Sequence, residues 1–311
     1  MTHDAGHRPV RSRARLTAHR RLRLALAVAL AAAVGAACSA PAPGKPAPAV
    51  YYLALGDSLS RGVQPDAAGT SVETPQGYPD LVYAQLRRAH PRLRLVQLGC
   101  PGETTETMMH GGICRYPGGS QLAAAATFLR DHRGHVLLVT IDIGANDPEV
   151  CGSQQGLAKL ASCLRRIPGT ATRLAAILGR LRAAAGPQVR IVGMSYYLPD
   201  LAQWRDGTLG HAVAWVSERL AVAFTGLLDQ AYAQAGIGVA NVFGAFDTTD
   251  FGHPVTIPGI GSLPRNVARI CEWTWECAPP PRGPNQHANP AGYRVIANAI
   301  LNVAGVSRRT G

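Results

Sequence analysis

The sequence predicts a three-layer α/β/α fold around a central, mostly parallel sheet. Five short apolar runs carry this expectation: Tyr51–Leu55, then 93–98, 135–144, 189–195 and 237–242. Their apolar residues are nearly continuous, as in strands buried on both faces, where a half-solvated sheet would alternate. Stretches with helical spacing separate the runs, over about 78–89, 120–132, 156–166, 170–185 and 209–235, and a last one covers about 290–303. Strands alternating with helices imply a sheet covered on both sides. Such sheets hold their ligands in the loops beyond the carboxyl ends of the strands, so those loops are the places to inspect.

The first 23 residues hold seven Arg against one Asp, and residues 24–37 carry no charge. They therefore account for +6 of the formal +12, and the chain from Cys38 onward is only mildly basic. A mild excess of this kind is a solvated surface, and no nucleic-acid partner is expected. The basic start runs into LALAVALAAAVGAAC, an apolar stretch followed by small residues, which reads as an export signal over 1–37. Its apolar part is shorter than the roughly 20 residues of a spanning helix. Gly35-Ala36-Ala37-Cys38 resembles a bacterial lipobox, with Gly35 where Leu is usual, so Cys38 is either lipidated or follows an ordinary cleavage after Ala37. A Pro/Ala-rich tether then covers the rest of 38–50, the folded domain 51–306, and a short tail 307–311.

The cysteines also point out of the cytoplasm. Apart from Cys38, six fall as three close sequential pairs: Cys100/Cys114, Cys151/Cys163 and Cys271/Cys277. Six cysteines allow 15 connectivities, and sequential pairing is the natural one because each pair brackets a single loop. With no CxxC and no histidines at ligand spacing beside them, structural disulfides are expected and no metal site.

Three loops at strand ends carry candidate chemistry. Gly56-Asp57-Ser58-Leu59-Ser60 sets a hydroxyl at a strand-to-helix turn, where Ser58 is either an exposed nucleophile or an N-cap. Gly99-Cys100-Pro101-Gly102 is a tight turn whose backbone amides can approach a ligand. Gly144-Ala145-Asn146-Asp147-Pro148 offers the Asn146 amide to an anion, with Asp147 able to orient the loop, or else a simple Asx-turn. Near the C-terminus stands PNQHANPAGY, with His287 just ahead of the last helix.

In this order, GDSLS, LGCPGETT, GAND and QHANPAGY resemble the four blocks of the SGNH hydrolase superfamily, the GDSL esterases and lipases. The resemblance covers about residues 51–304 and is most like secreted or lipoprotein members from actinobacteria. It implies a flavodoxin-like three-layer fold, Ser58 as nucleophile and His287 as base. It further implies an oxyanion hole from the N–H of Ser58, the N–H of Gly102 and the side chain of Asn146, with Asp57 and Asp147 in support. Pro284 stands where the family has an acid, so Asn285 or a backbone carbonyl is expected to hold the imidazole, with Glu272 and Glu276 as alternative acids. The implied substrate is a small-molecule ester, a lipid or an acylated glycan, without cofactor or metal. A monomer is expected, attached to a membrane through Cys38 if that residue is lipidated. A surface lipoprotein binding glycan or lipid without turnover is the competing reading.

The segments Gly111–Gly119, Tyr196–Gly207 and Phe251–Ile270 are expected to shape the substrate pockets. Trp273 and Trp275 are expected beside His287. Of the other histidines, His110 and His253 stand in Gly-rich loops that could reach the site.

Overall fold

Strand β1, Val50–Gly56, alternates its side chains between two buried layers: Tyr52 and Ala54 enter one core, Leu53 and Leu55 the other. This is what a continuous apolar run predicts for a strand covered on both faces. In the computed structural model, which describes residues 49–149 and 157–305, β1 is joined by β2 (Leu93–Gln97), β3 (Val136–Asp142), β4 (Arg190–Met194) and β5 (Gly238–Ala240). All pairings are parallel and the order is β2-β1-β3-β4-β5. The sequential order reverses around β1, which opens a crevice beyond the carboxyl ends of β1 and β3.

Helices α1 (Tyr78–Arg87), α6 (Arg265–Trp273) and α7 (Pro290–Val303) pack one face of the sheet through Tyr78, Val82, Val267, Ile270 and Ile296. Helices α3 (Gln121–Asp131), α4 (Leu157–Ala185) and α5 (Gly207–Gln234) cover the other through Leu122, Leu129, Leu174, Leu178 and Leu228. Short α2, Thr105–His110, begins at a Thr104 side-chain cap. Two small antiparallel ribbons, Gln64–Pro65 with Ser71–Val72 and Pro254–Ile257 with Gly261–Pro264, lie outside the sheet.

The expected elements are present, with three differences. The stretches read as separate helices over 156–166 and 170–185 form one helix, which runs through Pro168. Its apolar stripe of Leu174, Ile177, Leu178 and Leu181 is fully buried, which outweighs the one backbone bond that a proline removes. Helix α6 arises inside the segment expected to be a pocket-shaping loop. β1 begins at Val50, within the stretch assigned to the tether, because Val50 already pairs with Leu93.

Two expected disulfides are formed, Cys100–Cys114 with Cα atoms 6.1 Å apart and Cys271–Cys277 at 4.8 Å. The side chains of Cys151 and Cys163 lie outside the described residues, as do the export signal and Cys38. No helix among the described residues is long and apolar enough to cross a membrane.

Gly56 ends β1 at φ +131°, where it pairs with Asp142 at the end of β3. An added Cβ would stand 2.1 Å from the Asp142 carbonyl oxygen, a contact no side chain can make. Gly56→Ala is therefore expected to cost about 3 kcal/mol or more of stability, read as a lowered denaturation midpoint.

Candidate active site

The turn after β1 presents Ser58 at φ −62° and ψ −29°, opening the 3₁₀ turn Leu59–Arg61. Its hydroxyl makes no capping bond. The Leu59 N–H goes instead to the Asp57 carboxylate at 3.0 Å, and the Ser60 hydroxyl ties back to the Asp57 carbonyl at 2.7 Å. Asp57 and Ser60 thus hold the turn from within, and the half-buried Ser58 hydroxyl is left for chemistry. From α3, Gln121 clamps the base of the turn: it accepts from the Gly56 N–H at 2.7 Å and donates to the Gly56 carbonyl at 3.0 Å.

The loop after β3 brings Asn146 to the same place. Its amide donates one hydrogen to the Glu103 carbonyl at 2.9 Å, and a primary amide has a second to give. Asp147 is buried and fastens this loop to the start of α2. It accepts from the Thr105 N–H at 2.8 Å and from the Thr105 hydroxyl, and Arg173 reaches it at 3.1 Å. Asp147 therefore holds two of the four loops in fixed relation.

His287 arrives from the far end of the chain on a loop that folds back along the turn after α6. Trp275 donates its N–H to the His287 carbonyl at 3.0 Å, Asn285 donates its N–H to the Trp275 carbonyl at 3.2 Å, and Thr274 bridges Ala288. Trp273 and Trp275 support the histidine through backbone pairing, while their rings pack elsewhere, on Phe246 and beside Gln64. Asn285 Oδ1 lies 2.8 Å from His287 Nδ1 and also accepts the His287 N–H at 3.1 Å. Since that oxygen can only accept, Nδ1 carries the ring proton and Nε2 keeps its lone pair. The Asn285 amide is oriented in turn by donating to the Ser71 hydroxyl at 3.0 Å. Glu272 is engaged by Arg269 at 2.9 Å, and burial first and the charge of Asp200 second raise the pKa of Glu276.

Ser58, Asn146 and His287 line one cleft of about 60 Å³, together with Tyr196, Tyr197 and Pro199. Tyr197 donates its hydroxyl to the Gln286 carbonyl at 2.9 Å and so braces the histidine loop. Gly102 stands exposed at φ +81°, beside Glu103 but outside the walls of this cleft. Of the expected pocket segments, the start of Tyr196–Gly207 contributes walls and Gly111–Gly119 does not; Tyr116 from the latter bonds the Leu98 carbonyl at 2.7 Å. Trp204 stacks on His211 with ring centres 4.0 Å apart. His253 pairs with Asp250 at 2.9 Å, and His110 lies near Glu106.

Burial pulls the His287 pKa from 6.5 down to about 4. The imidazole is neutral at neutral pH, the state that a candidate proton acceptor needs, and no carboxylate on Asn285 opposes the burial. The base-dependent limb of kcat/KM should accordingly fall only as pH drops towards about 4. Asn285→Asp sets an anion beside Nδ1, stabilises the imidazolium and raises the pKa. The acid limb of the pH–rate profile is expected to move to higher pH in that variant.

Three further residues at the site escaped sequence reasoning: Gln121, Glu103 and Asp142. Asp142 alone left a signal, a single acid in an otherwise apolar strand run. Gln121 acts across 65 positions and resembles any polar residue at a helix start.

Comparison with known proteins bears on the family and the fold. The profile of the GDSL-like lipase/acylhydrolase family matches residues 54–295. Among curated proteins no relative is found. An extracellular lipase from Streptomyces rimosus is similar in structure at 21% identity, with a TM-score of 0.53 over 82% of this chain and 100% of that one. Phospholipase A1 from Streptomyces albidoflavus gives 21% identity and a TM-score of 0.50 over 82% and 99%. A variant of an acetylxylan esterase from Geobacillus stearothermophilus gives 15% and 0.50 over 83% and 95%. At such identities the likenesses show a shared fold. The family profile covers well over half of the chain, which belongs to the GDSL-like lipase/acylhydrolase family of ester hydrolases.

Proposed function

We propose that the protein is an extracytoplasmic serine esterase for carboxylic esters of short to medium acyl chains, working with Ser58 and His287. The observation that carries the reading is the tautomer set by Asn285, which leaves Nε2 of His287 basic in the cleft that Ser58 and Asn146 share. His287 takes the Ser58 proton as Oγ attacks the ester carbonyl. The tetrahedral oxyanion is met by the N–H of Ser58 and the free hydrogen of the Asn146 amide, and the N–H of Gly102, on the exposed loop outside the cleft walls, is the third donor that the family resemblance implies. His287 returns the proton to the leaving alcohol, and water repeats the sequence on the acyl-enzyme to release the acid and restore Ser58.

The small cleft favours a short acyl group. A separate, larger groove of about 640 Å³ is lined by Ala202, Gln203, Arg205, Glu276 and Pro284. An extracytoplasmic location is supported by the basic–apolar start and the two disulfides. Lipidation at Cys38 or release after Ala37 decides between anchored and secreted forms.

The test is hydrolysis of p-nitrophenyl acetate, butyrate, octanoate and palmitate by purified residues 39–311. Turnover falling with chain length supports the reading. Preference for palmitate would overturn the acyl assignment, and no turnover on any ester would overturn the function.

A further inference from the structure

Two buried polar side chains stand between the loops of the cleft. Gln121, the first residue of α3, has no exposure to solvent, and Glu103, next to Gly102 on the loop after β2, is 1% exposed. Groups of this kind are costly to bury unless they are hydrogen-bonded, so their partners are informative. The Gly56 N–H can only donate, so the Gln121 atom facing it at 2.7 Å is the amide oxygen. That choice turns Nε2 and its two hydrogens to three acceptors. They are the Gly56 carbonyl at 3.0 Å, the Glu103 carboxyl at 3.2 Å and the Tyr116 hydroxyl oxygen at 3.3 Å.

Gly56 ends the strand that launches the Ser58 turn, and the Glu103 carbonyl is the anchor of the Asn146 amide at 2.9 Å. One carboxamide therefore bonds both sides of the cleft. We propose that Gln121 is a positioning residue that couples the Ser58 turn to the Glu103 segment, so that the nucleophile and the Asn146 donor keep their spacing as one unit. A polar side chain serving only its own helix would bond within α3; this one spends its bonds on Gly56, Glu103 and Tyr116. The Cys100 N–H also reaches the Gly56 carbonyl at 3.0 Å, but it fixes the loop three residues before Glu103 and leaves the carboxyl to Gln121. Tyr116 is held in turn by its bond to the Leu98 carbonyl at 2.7 Å, close to the Cys100–Cys114 disulfide.

The catalytic consequence rests on the roles of Ser58 and Asn146 proposed above; the coupling itself does not. Gln121→Glu keeps the size and the acceptor for the Gly56 N–H but sets an oxygen against the Glu103 carboxyl. On p-nitrophenyl acetate kcat should fall about a hundredfold with KM little changed, the loss typical of displaced catalytic groups. Adding Glu103→Gln restores the bond with donor and acceptor exchanged, and should return most of kcat.

Hydrogen exchange read by mass spectrometry tests the coupling without any substrate. Gln121→Glu should speed exchange about tenfold in residues 55–60 and 100–105 together, the effect of losing one bond between them. Glu103→Ala leaves the Gly56 bonds in place and should still speed exchange in 55–60, which decides the matter if Gln121→Glu fails to fold. Faster exchange in 55–60 alone in Gln121→Glu, or native exchange there in Glu103→Ala, would overturn the proposal. So would native kcat in Gln121→Glu where Ser58→Ala is inactive, or a double variant as slow as Gln121→Glu. If the native protein turns over no ester, the proposed function fails and exchange still decides the coupling.

Discussion

Ser58→Ala is expected to lower kcat/KM on any accepted ester by at least about 10⁴-fold, in line with removal of a serine nucleophile elsewhere. Stability should hardly change. The Ser58 hydroxyl makes no capping bond, and the turn is held by Asp57, Ser60 and Gln121 through bonds that the substitution leaves alone. His287→Ala should match it in rate, since nucleophile and base act as a unit and their losses do not add. Kinetics beside thermal denaturation separates this outcome from simple unfolding. A Ser58→Ala protein that retains turnover would remove Ser58 from the mechanism.

Asn146 carries the second large effect. One amide hydrogen is spent on the Glu103 carbonyl, and the other is the one proposed to meet the developing oxyanion. Asn146→Ala is expected to reduce kcat by about 10²–10³ with KM little changed, because the bond is made mainly in the transition state. Asn146→Asp tests this against a purely structural role. It keeps the size but replaces donors with a negative charge facing the oxyanion, so kcat should fall further than in the Ala variant. An Asp variant more active than the Ala variant would leave Asn146 as a loop tether only.

Much of this could be read in advance from the chain, for physical reasons. The five strands were legible because burial on both faces removes polar alternation. Ser58 and Asn146 were legible because they sit directly after apolar runs, where an α/β sheet gathers its ligands. Helix α6 was not, since it is short and sits within a Pro- and Gly-rich segment. The single course of α4 was hidden by Pro168-Gly169, which usually marks a break. What holds His287 was legible only as a set of alternatives, Asn285, a carbonyl or a distant Glu. The choice depends on how the loop folds back on Trp275, a contact that local spacing does not encode. Asp142 sat in plain view in IDIG, but the Asp57 N–H that its carboxyl accepts lies 85 positions away and the pairing is a matter of strand order.

The central claim is that Ser58, activated by His287, is the nucleophile of this chain. Treatment with a fluorophosphonate, followed by peptide mass spectrometry, tests it most directly, because the reagent captures an activated serine whatever the natural ester is. The account predicts one stoichiometric adduct on Ser58, lost in His287→Ala. An adduct on another serine, or a Ser58 left unlabelled by an active protein, would contradict it.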